Sequence, residues 1–563
     1  MTRWQVFAAL AALSALAGSA AAQHAHHVEQ ADERALAEDP RLAAGQLAPI
    51  LDGLGGHHHA VTTKSERAQL FFDQGLKLAY GFNHREALRA FKEAARLDPD
   101  CAMAYWGWAL VLGPNINLPM SKDAVPQAWE ALQLALARRD KVTEPERAYI
   151  DALAKRYSAD PEADRAPLDA AYAAAMRDLY RRYPEDTDAG ALFAEALMDV
   201  SPWNYWTPDR KPREATPEIL AALEDVLRRD PEHEGALHYY IHAVEAVDPA
   251  RGAAAADRLR PLAPGAGHLL HMPSHLYIQL GRYADAYEAN ALAARSDESY
   301  IAQCRAQGIY ALNYFPHNLH FLAWAAFYQG RAAEALAAAK QVRAGVPEDL
   351  QGNDWALYET FLSMPLYTMV RFGMWDAVLA EPEPRKDARL LTGIWHYARG
   401  RAFAATGRAA EARGELRKVE ALASDPASAS VPVGYAGAPR LLEIARFVLA
   451  GEIAAAEKKH DEAIAYLDRA TRLEDSLTYN EPPDWYYPVR HSLGAALLEA
   501  GRAVEAEVVY WQDLRRYPEN AYALLGLWRA AAAQGKTAEA ADFEKRYRAA
   551  WSRADAALET SRY

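Results

Sequence analysis

Cysteine is scarce in this chain, with only Cys101 and Cys304 among 563 residues. A fold that depends on a framework of disulfides is therefore excluded. The motif C-x-x-C-H is absent, which excludes covalent haem attachment of that kind. One long-range bridge between the two thiols is an alternative, but we expect two separate buried cysteines.

The signatures of common enzyme classes are missing as well. The motifs G-x-S-x-G, H-E-x-x-H and G-x-x-x-x-G-K-[ST] do not occur, nor does the dinucleotide glycine fingerprint. Basic residues are outnumbered, since 62 Lys and Arg face 76 Asp and Glu, for a net charge of −14. Because phosphate groups and anionic lipids require a basic surface, this balance argues against nucleic acid and against membrane docking.

Apolar runs long enough to span a bilayer are absent after the N-terminus. The N-terminus itself has a basic start, a short apolar stretch and an A-x-A end, the pattern of a cleaved secretory signal. We therefore expect a signal peptide over residues 1–22 and a periplasmic or secreted protein without an integral membrane segment. Residues 23–64 lack periodicity and predict a flexible leader with two histidine clusters, His24/His26/His27 and His57/His58/His59.

Period-2 strand patterns are almost absent, whereas helical periodicity flanks a recurring unit, Gly-basic-x-x-acidic-Ala. The copies begin at Gly281, Gly330, Gly407, Gly501 and Gly535, and the last two lie 34 residues apart. A glycine suits the left-handed residue that ends one helix, and the small alanine lets the next helix pack closely. A helix-turn-helix unit of 34 residues is typical of tetratricopeptide (TPR) repeats.

The chain also resembles a group of exported bacterial TPR proteins over nearly all of its mature length. The residues that carry this resemblance are Phe72-Asp-Gln-Gly-Leu76, Tyr80-Gly-Phe-Asn-His84-Arg-Glu-Ala87, Cys101-Ala-Met-Ala-Tyr-Trp-Gly107, His271-Met-Pro-Ser-His275 and Glu481-Pro-Pro-Asp-Trp485. The resemblance implies a fold and no reaction. We predict an all-α, TPR-type α-solenoid of stacked helical hairpins, with an N-terminal array over 65–350 and a C-terminal array over 351–563.

Seven of the 18 histidines fall between residues 238 and 320. The repeat relates two pairs of them, because His268 and His271 precede Ala286 by the same 18 and 15 residues that separate His317 and His320 from Ala335. Equivalent positions of a repeat face the same way. With one residue inserted after His242, the pair His238/His242 matches the pair His271/His275.

These i,i+4 pairs on two adjacent helices predict a metal site, because four ligands can converge on one ion. The complete set of candidate ligands is His238, His242, His268, His271, His275, His317, His320, Glu195 and Asp199. Imidazole and carboxylate ligands suit Zn, Fe, Cu or Ni, and this number of candidates could fill a two-metal site. We expect Asn115, Asn117, Trp203 and Trp206 to line the rim of the groove.

The histidines also have simpler interpretations. They could be hydrogen-bonding groups in a peptide-binding groove, or packing residues, and Pro273 could move His271 off the face that carries His275. The leading hypothesis is a protein that binds a peptide or protein segment in a histidine-rich groove, with a transition metal as part of the site. The alternatives are a metal-dependent hydrolase or oxidoreductase, with Glu195 or Glu245 as ligand or general base, and a scaffold of the cell envelope.

Overall fold

A computed structural model describes residues 45–304, 310–347, 352–434 and 436–563 of the chain. The predicted signal peptide and the first half of the predicted leader lie outside the described residues. Helices dominate the described ranges, which contain no strand and only two isolated bridges, Asn115 with Leu118 and Trp206 with Pro212. None of the described helices combines the length and apolarity needed to cross a membrane.

In chain order, the helices of the first half are α1 (Glu66–Tyr80), α2 (His84–Leu97), α3 (Ala102–Val111), α4 (Ala124–Leu136), α5 (Glu144–Leu153), α6 (Arg165–Arg182), α7 (Thr187–Val200), α8 (Thr216–Arg229), α9 (Glu234–Val244), α10 (Pro249–Leu259), α11 (Gly267–His271), α12 (Pro273–Gln279) and α13 (Tyr283–Cys304). Those of the second half are α14 (Phe315–Tyr328), α15 (Ala332–Ala344), α16 (Gly352–Arg371), α17 (Trp375–Ala380), α18 (Arg389–Ala405), α19 (Ala409–Ser424), α20 (Ala438–Ala456), α21 (His460–Asp475), α22 (Val489–Glu499), α23 (Ala503–Arg516), α24 (Ala521–Ala533) and α25 (Thr537–Ala550).

The helices form two compact units. The described part of the first unit comprises residues 45–276, 289–304 and 310–315, and that of the second comprises residues 277–288, 316–347, 352–434 and 436–563. This division differs from the expected boundary near residue 350. The loop before α16 has a linker-like sequence, but α15 and α16 pack against each other and so belong to one unit.

Within each unit, helices that follow each other in the chain pack together as hairpins, for example α1 with α2 and α20 with α21. The glycines of the repeated unit have the left-handed backbone that the sequence predicts, with φ of +77° at Gly407 and +74° at Gly501. After Gly407 and after Gly501, the backbone N–H of the next residue, an arginine, donates to a carbonyl oxygen of the preceding helix. The all-α, TPR-type solenoid class is thus confirmed, and Cys101 and Cys304 are buried thiols rather than a disulfide.

The second half of the predicted leader, residues 45–64, is packed against the repeats. Its backbone N–H groups donate to Glu93 from Leu47, to Gln74 from Leu51 and to Glu146 from Thr62. These bonds satisfy polar groups of a segment that has no secondary structure of its own. We call residues 45–64 the strap, because hydrogen bonds along its whole length hold it to helices of the first unit.

The packing of α2 against α3 depends on close approach at a glycine. The ring of Phe91 on α2 is fully buried, and a Cβ atom added at Gly107 of α3 would lie 2.4 Å from its Cε1 atom. By contrast, a Cβ atom at Gly414 of α19 would meet nothing nearer than 3.9 Å. Gly107 is therefore required because a side chain there would collide with Phe91, whereas a side chain fits at Gly414.

We expect Gly107→Ala to lower the free energy of unfolding by about 1–3 kcal/mol, because the methyl group overpacks the core around Phe91. Gly414→Ala is the matched control and should raise stability by up to about 1 kcal/mol through helix propensity. Thermal or denaturant unfolding of both variants measures the difference. Equal effects of the two substitutions would contradict the packing shown for Phe91.

Candidate metal centre

Helices α9, α11 and α12 of the first unit carry five histidines, which we call the histidine cluster: His238, His242, His268, His271 and His275. All five are buried, with at most 4% of their surface exposed. Pro273 does begin a new helix, as its sequence position suggested. The break nevertheless leaves His271 and His275 on one face, because their Nε2 atoms are only 2.7 Å apart.

An acceptor holds the Nδ1 atom of four of these rings. His238 Nδ1 donates to the carbonyl oxygen of Tyr80 at 2.6 Å, and His271 Nδ1 donates to Asn290 Oδ1 at 2.7 Å. Glu245 accepts from two rings, with Oε1 2.9 Å from His242 Nδ1 and Oε2 2.5 Å from His275 Nδ1. A proton on Nδ1 leaves the lone pair of a neutral imidazole on Nε2.

The Nε2 atoms face one another. His238 Nε2 lies 3.2 Å from His268 Nε2, in addition to the 2.7 Å contact between His271 and His275. The Nε2 atom of His242 is buried and has no hydrogen-bond partner among the described residues. Imidazoles whose Nδ1–H is held by a carboxylate or carbonyl, with Nε2 turned inward, are arranged as metal-bound histidines are.

Burial favours the neutral form of two rings of the cluster, His238 and His242. Burial, together with the neighbouring histidine His275, lowers the pKa of His242 well below its usual range. Burial and the proximity of His242 do the same for the pKa of His238. Burial also raises the pKa of Glu245. His238 and His242 are therefore neutral at neutral pH, and neutral imidazole is the form that binds a metal.

Aromatic rings enclose the cluster. The ring of Phe82 lies 4.5 Å from that of His238 and stacks on His242 at 6.0 Å, measured between centroids. Phe82 follows Gly81 in the turn after α1 and has a positive φ of 55°, a backbone conformation that few non-glycine residues adopt. This turn is among the residues that carry the family resemblance. Nothing in its sequence pattern indicated that Phe82 would form a wall of the site.

Two of the predicted rim residues lie beside the cluster. Trp203 meets the His242 ring edge-on at 5.1 Å, and its indole N–H donates to Asn117 Oδ1 at 3.1 Å. Trp206 donates to the carbonyl oxygen of Ala243, the residue after His242. Asn115 is instead a turn residue, because its side chain accepts the backbone N–H of Asn117. Asn115 therefore stabilises its own turn, while Trp203 and Trp206 lie next to the cluster. That these residues line a groove stays a prediction.

Glu195 and Asp199 do not join the histidines. Both lie on α7, where Asp199 pairs with the guanidinium of the buried Arg156. Burial raises the pKa of Glu195, while Arg156 opposes the rise. The sequence placed the two carboxylates correctly on one helix face but could not show that an arginine from another helix lies against them. Their predicted role as metal ligands is therefore not supported by their partners.

His317 and His320 lie on α14, in the second unit. The His320 ring stacks on Tyr486 at 5.7 Å and meets Phe361 edge-on at 6.0 Å. Burial lowers the pKa of His320 to about 3. These neighbours are typical of a packing residue, and the predicted role of both histidines as ligands stays a prediction.

A second group of histidines, which the sequence did not single out as a site, surrounds Asp188 at the start of α7. Asp188 accepts hydrogen bonds from His57 Nε2 at 2.8 Å, from His59 Nδ1 at 2.7 Å and from the hydroxyl of Tyr80. His233 caps the N-terminus of α9 by accepting the N–H of Ala236 on Nδ1, so its proton is on Nε2, 3.3 Å from Asp188.

This group differs from the histidine cluster because its imidazoles turn N–H groups toward a carboxylate. Burial opposes protonation of His59, but the hydrogen bond and charge of Asp188 raise its pKa to about 9. Burial opposes ionisation of Asp188, but the nearby rings of His233, His57 and His59 bring its pKa well below its usual range. The group is therefore an ion-paired anchor that ties the strap to α7 and α9.

Comparisons with known proteins give distant likenesses. No protein-family model and no curated protein match the chain. Among solved structures, a human IFIT1 dimer with m7Gppp-AAAA is 14% identical, with 86% of this chain and 90% of that chain covered and a TM-score of 0.30. Yeast Tom70 is 11% identical, with coverages of 84% and 90% and a TM-score of 0.29. At these scores the fold assignment rests on the chain's own repeats.

We expect the strap to loosen as the pH rises. The pKa of His59 is about 9 in the folded protein and 6.5 without its partners, so the ion pair contributes fully below pH 6.5 and is lost as the pH passes 9. Hydrogen exchange of residues 45–64 between pH 6 and 10, corrected for intrinsic rates, measures this loosening.

The adjacent histidine provides the control, because the His58 side chain is 57% exposed and that of His59 only 16%. His59→Ala should cost about 1–3 kcal/mol and abolish most of the pH dependence, whereas His58→Ala should change stability by less than about 0.5 kcal/mol. Similar behaviour of the two variants would show that Asp188 does not anchor the strap.

Proposed function

We propose that this chain is a metalloprotein that binds a first-row transition metal at the histidine cluster. The observation that carries the proposal is the Nε2 atom of His242, which is buried without a hydrogen-bond partner while Glu245 holds Nδ1 on the opposite side of the ring. A buried polar atom without a partner costs free energy, and a bound cation would remove that cost. His238 and His268 lie beside His242, with ligand atoms within 4.8 Å of a ligand atom of that ring.

The ligand set favours ions that accept neutral nitrogen. Imidazole suits Zn, Cu, Fe and Ni, in contrast to Mg and Ca, which prefer oxygen. In this proposal Glu245 orients ligands, whereas the sequence suggested a metal ligand or a general base. Since its two oxygens accept from His242 and His275, it orients two ligands and strengthens their donation to the metal.

The burial of the cluster argues against direct contact between these histidines and a bound peptide. All five histidines are at least 96% buried, and side chains buried to this extent do not line an open groove. Binding of a peptide or protein segment elsewhere on the repeats, a role as an envelope scaffold and export to the periplasm all stay predictions.

Protein purified without an affinity tag should contain a transition metal in at least equimolar amount. We expect His242→Ala to weaken binding by at least about 100-fold, since removal of an orienting group alone costs about 10–100-fold. Elemental analysis after gel filtration, combined with competition against a chelator, measures both quantities. A chelator should also lower the melting temperature of the native chain through linkage.

His396→Ala is the matched control for this experiment. His396 is also buried and hydrogen-bonded to a glutamate, Glu415, at 2.5 Å, but it lies in the second unit. The control should retain its metal. Metal-free native protein, or equal retention by the two variants, would refute the proposal.

Metal-dependent catalysis is a second candidate, favoured by a pocket that reaches the cluster. It is a small cavity of about 20 Å³ in the first unit, and His268 is one of the residues that line it. Its walls are mostly apolar and include Leu51 and Leu54 of the strap together with Tyr300 and Tyr310. A cavity of this size holds about one water molecule, so a larger molecule approaches a metal by this route only when the strap moves. The substrate class expected for an enzyme is therefore small and weakly charged.

Access through this pocket is testable with imidazole, a small ligand that binds metals. It should change the visible spectrum of protein loaded with Co²⁺, and Leu54→Trp, which fills the pocket, should slow the change at least about 10-fold. Leu47→Trp is the control, because Leu47 lies on the same strap and is already 41% exposed. Equal rates in both variants would exclude this route and leave the enzyme hypothesis without support.

A further inference from the structure

We infer that the histidine cluster holds two metal ions, one between His238, His242 and His268 and the other on His271 and His275. This inference rests on the proposed function and extends it to the number of ions and their ligands. It begins from the grouping of the Nε2 atoms, which form two facing pairs and one additional atom rather than a single ring of five.

The separation within each pair fits two donors of one ion. Nitrogen ligands lie about 2.0–2.1 Å from a tetrahedral zinc ion, which places two of them about 3.3 Å apart. His238 and His268 have their Nε2 atoms 3.2 Å apart, close to that value. The 2.7 Å between His271 and His275 corresponds to a smaller angle of about 80° at the ion.

His242 completes the first group. Ligand atoms of His238, His242 and His268 all lie within 4.8 Å of one another. Three imidazoles with a remaining position for a small molecule are a common set for a catalytic ion. His271 and His275 are outside this group, and five nitrogen ligands would exceed the four that a tetrahedral ion accepts.

Glu245 connects the two groups. Its Oε1 atom accepts from His242, a ligand of the first ion, and its Oε2 atom accepts from His275, a ligand of the second. A carboxylate in this position also offsets part of the positive charge that two ions would bring into a buried site. Asn290, in contrast, accepts from His271 and is neutral.

Stoichiometry with Co²⁺ alone tests the inference. The full chain, with His24, His26 and His27 replaced by alanine so that leader histidines cannot bind loosely, is stripped with a chelator and titrated with Co²⁺. Bound metal is counted by elemental analysis after gel filtration, and the visible spectrum follows each equivalent. We expect two equivalents per chain.

Variants in each group then separate the ions. His268→Ala and His271→Ala should each retain one equivalent, with different visible spectra, because each damages a different ion. Circular dichroism checks that both variants are folded, and the native titration stands by itself if either is not. One equivalent in the native chain, or loss of all metal in either variant, overturns the two-ion inference and leaves a single-ion site.

No bound Co²⁺ in the native chain would instead overturn the proposed function, and the facing nitrogens would then be imidazole pairs that share protons. The orienting residues provide an independent measurement. Glu245→Gln should weaken both ions by about 10–100-fold, whereas Asn290→Asp should change only the affinity for the second ion. If Glu245→Gln weakens one ion alone, the connection through Glu245 is wrong.

Discussion

Tyr80, the last residue of α1, makes the contacts on which both histidine groups depend. Its carbonyl oxygen accepts from His238 in the histidine cluster, and its hydroxyl donates to Asp188 in the anchor of the strap. Helix α9 comes close enough for these contacts because it has glycine at position 235, where a Cβ atom would lie 2.4 Å from the Tyr80 ring. One close helix contact thus positions the histidine ligands and the strap.

The two histidine groups show how one side chain acquires opposite properties. Around Asp188 the imidazoles meet a carboxylate with their N–H groups, and the pKa of His59 rises to about 9. In the cluster, Glu245 and the carbonyl oxygen of Tyr80 accept hydrogen bonds from Nδ1–H groups. Burial among other histidines keeps the pKa of His242 low. The first group is a charged anchor, whereas the second presents lone pairs, which is what a metal requires.

The strap gives this arrangement a further consequence. It contributes Leu51 and Leu54 to the pocket beside His268, and it is attached to the repeats through His57 and His59. Part of the pocket beside His268 is therefore formed by a segment whose attachment depends on pH.

Repetition made much of the site predictable. Equal spacing to Ala286 and Ala335 placed His268 and His271 on an inward face, and the i,i+4 spacing paired His238 with His242 and His271 with His275. The structure brings these five residues together. The same reasoning included Glu195 and Asp199, because helix periodicity shows which side chains share a face but not which residue of another helix meets them.

Local sequence thus determined the helices, the glycine turns that end them and the face on which each histidine lies, because those depend on neighbours within a few residues. Only the tertiary structure decided which atoms those faces meet: Arg156 for Asp199, Asn290 for His271, and Asp188 for a strap more than 120 residues away. The reason is physical. The pKa and the free lone pair of an imidazole depend on the few atoms within about 4 Å of it, and long-range packing supplies those atoms.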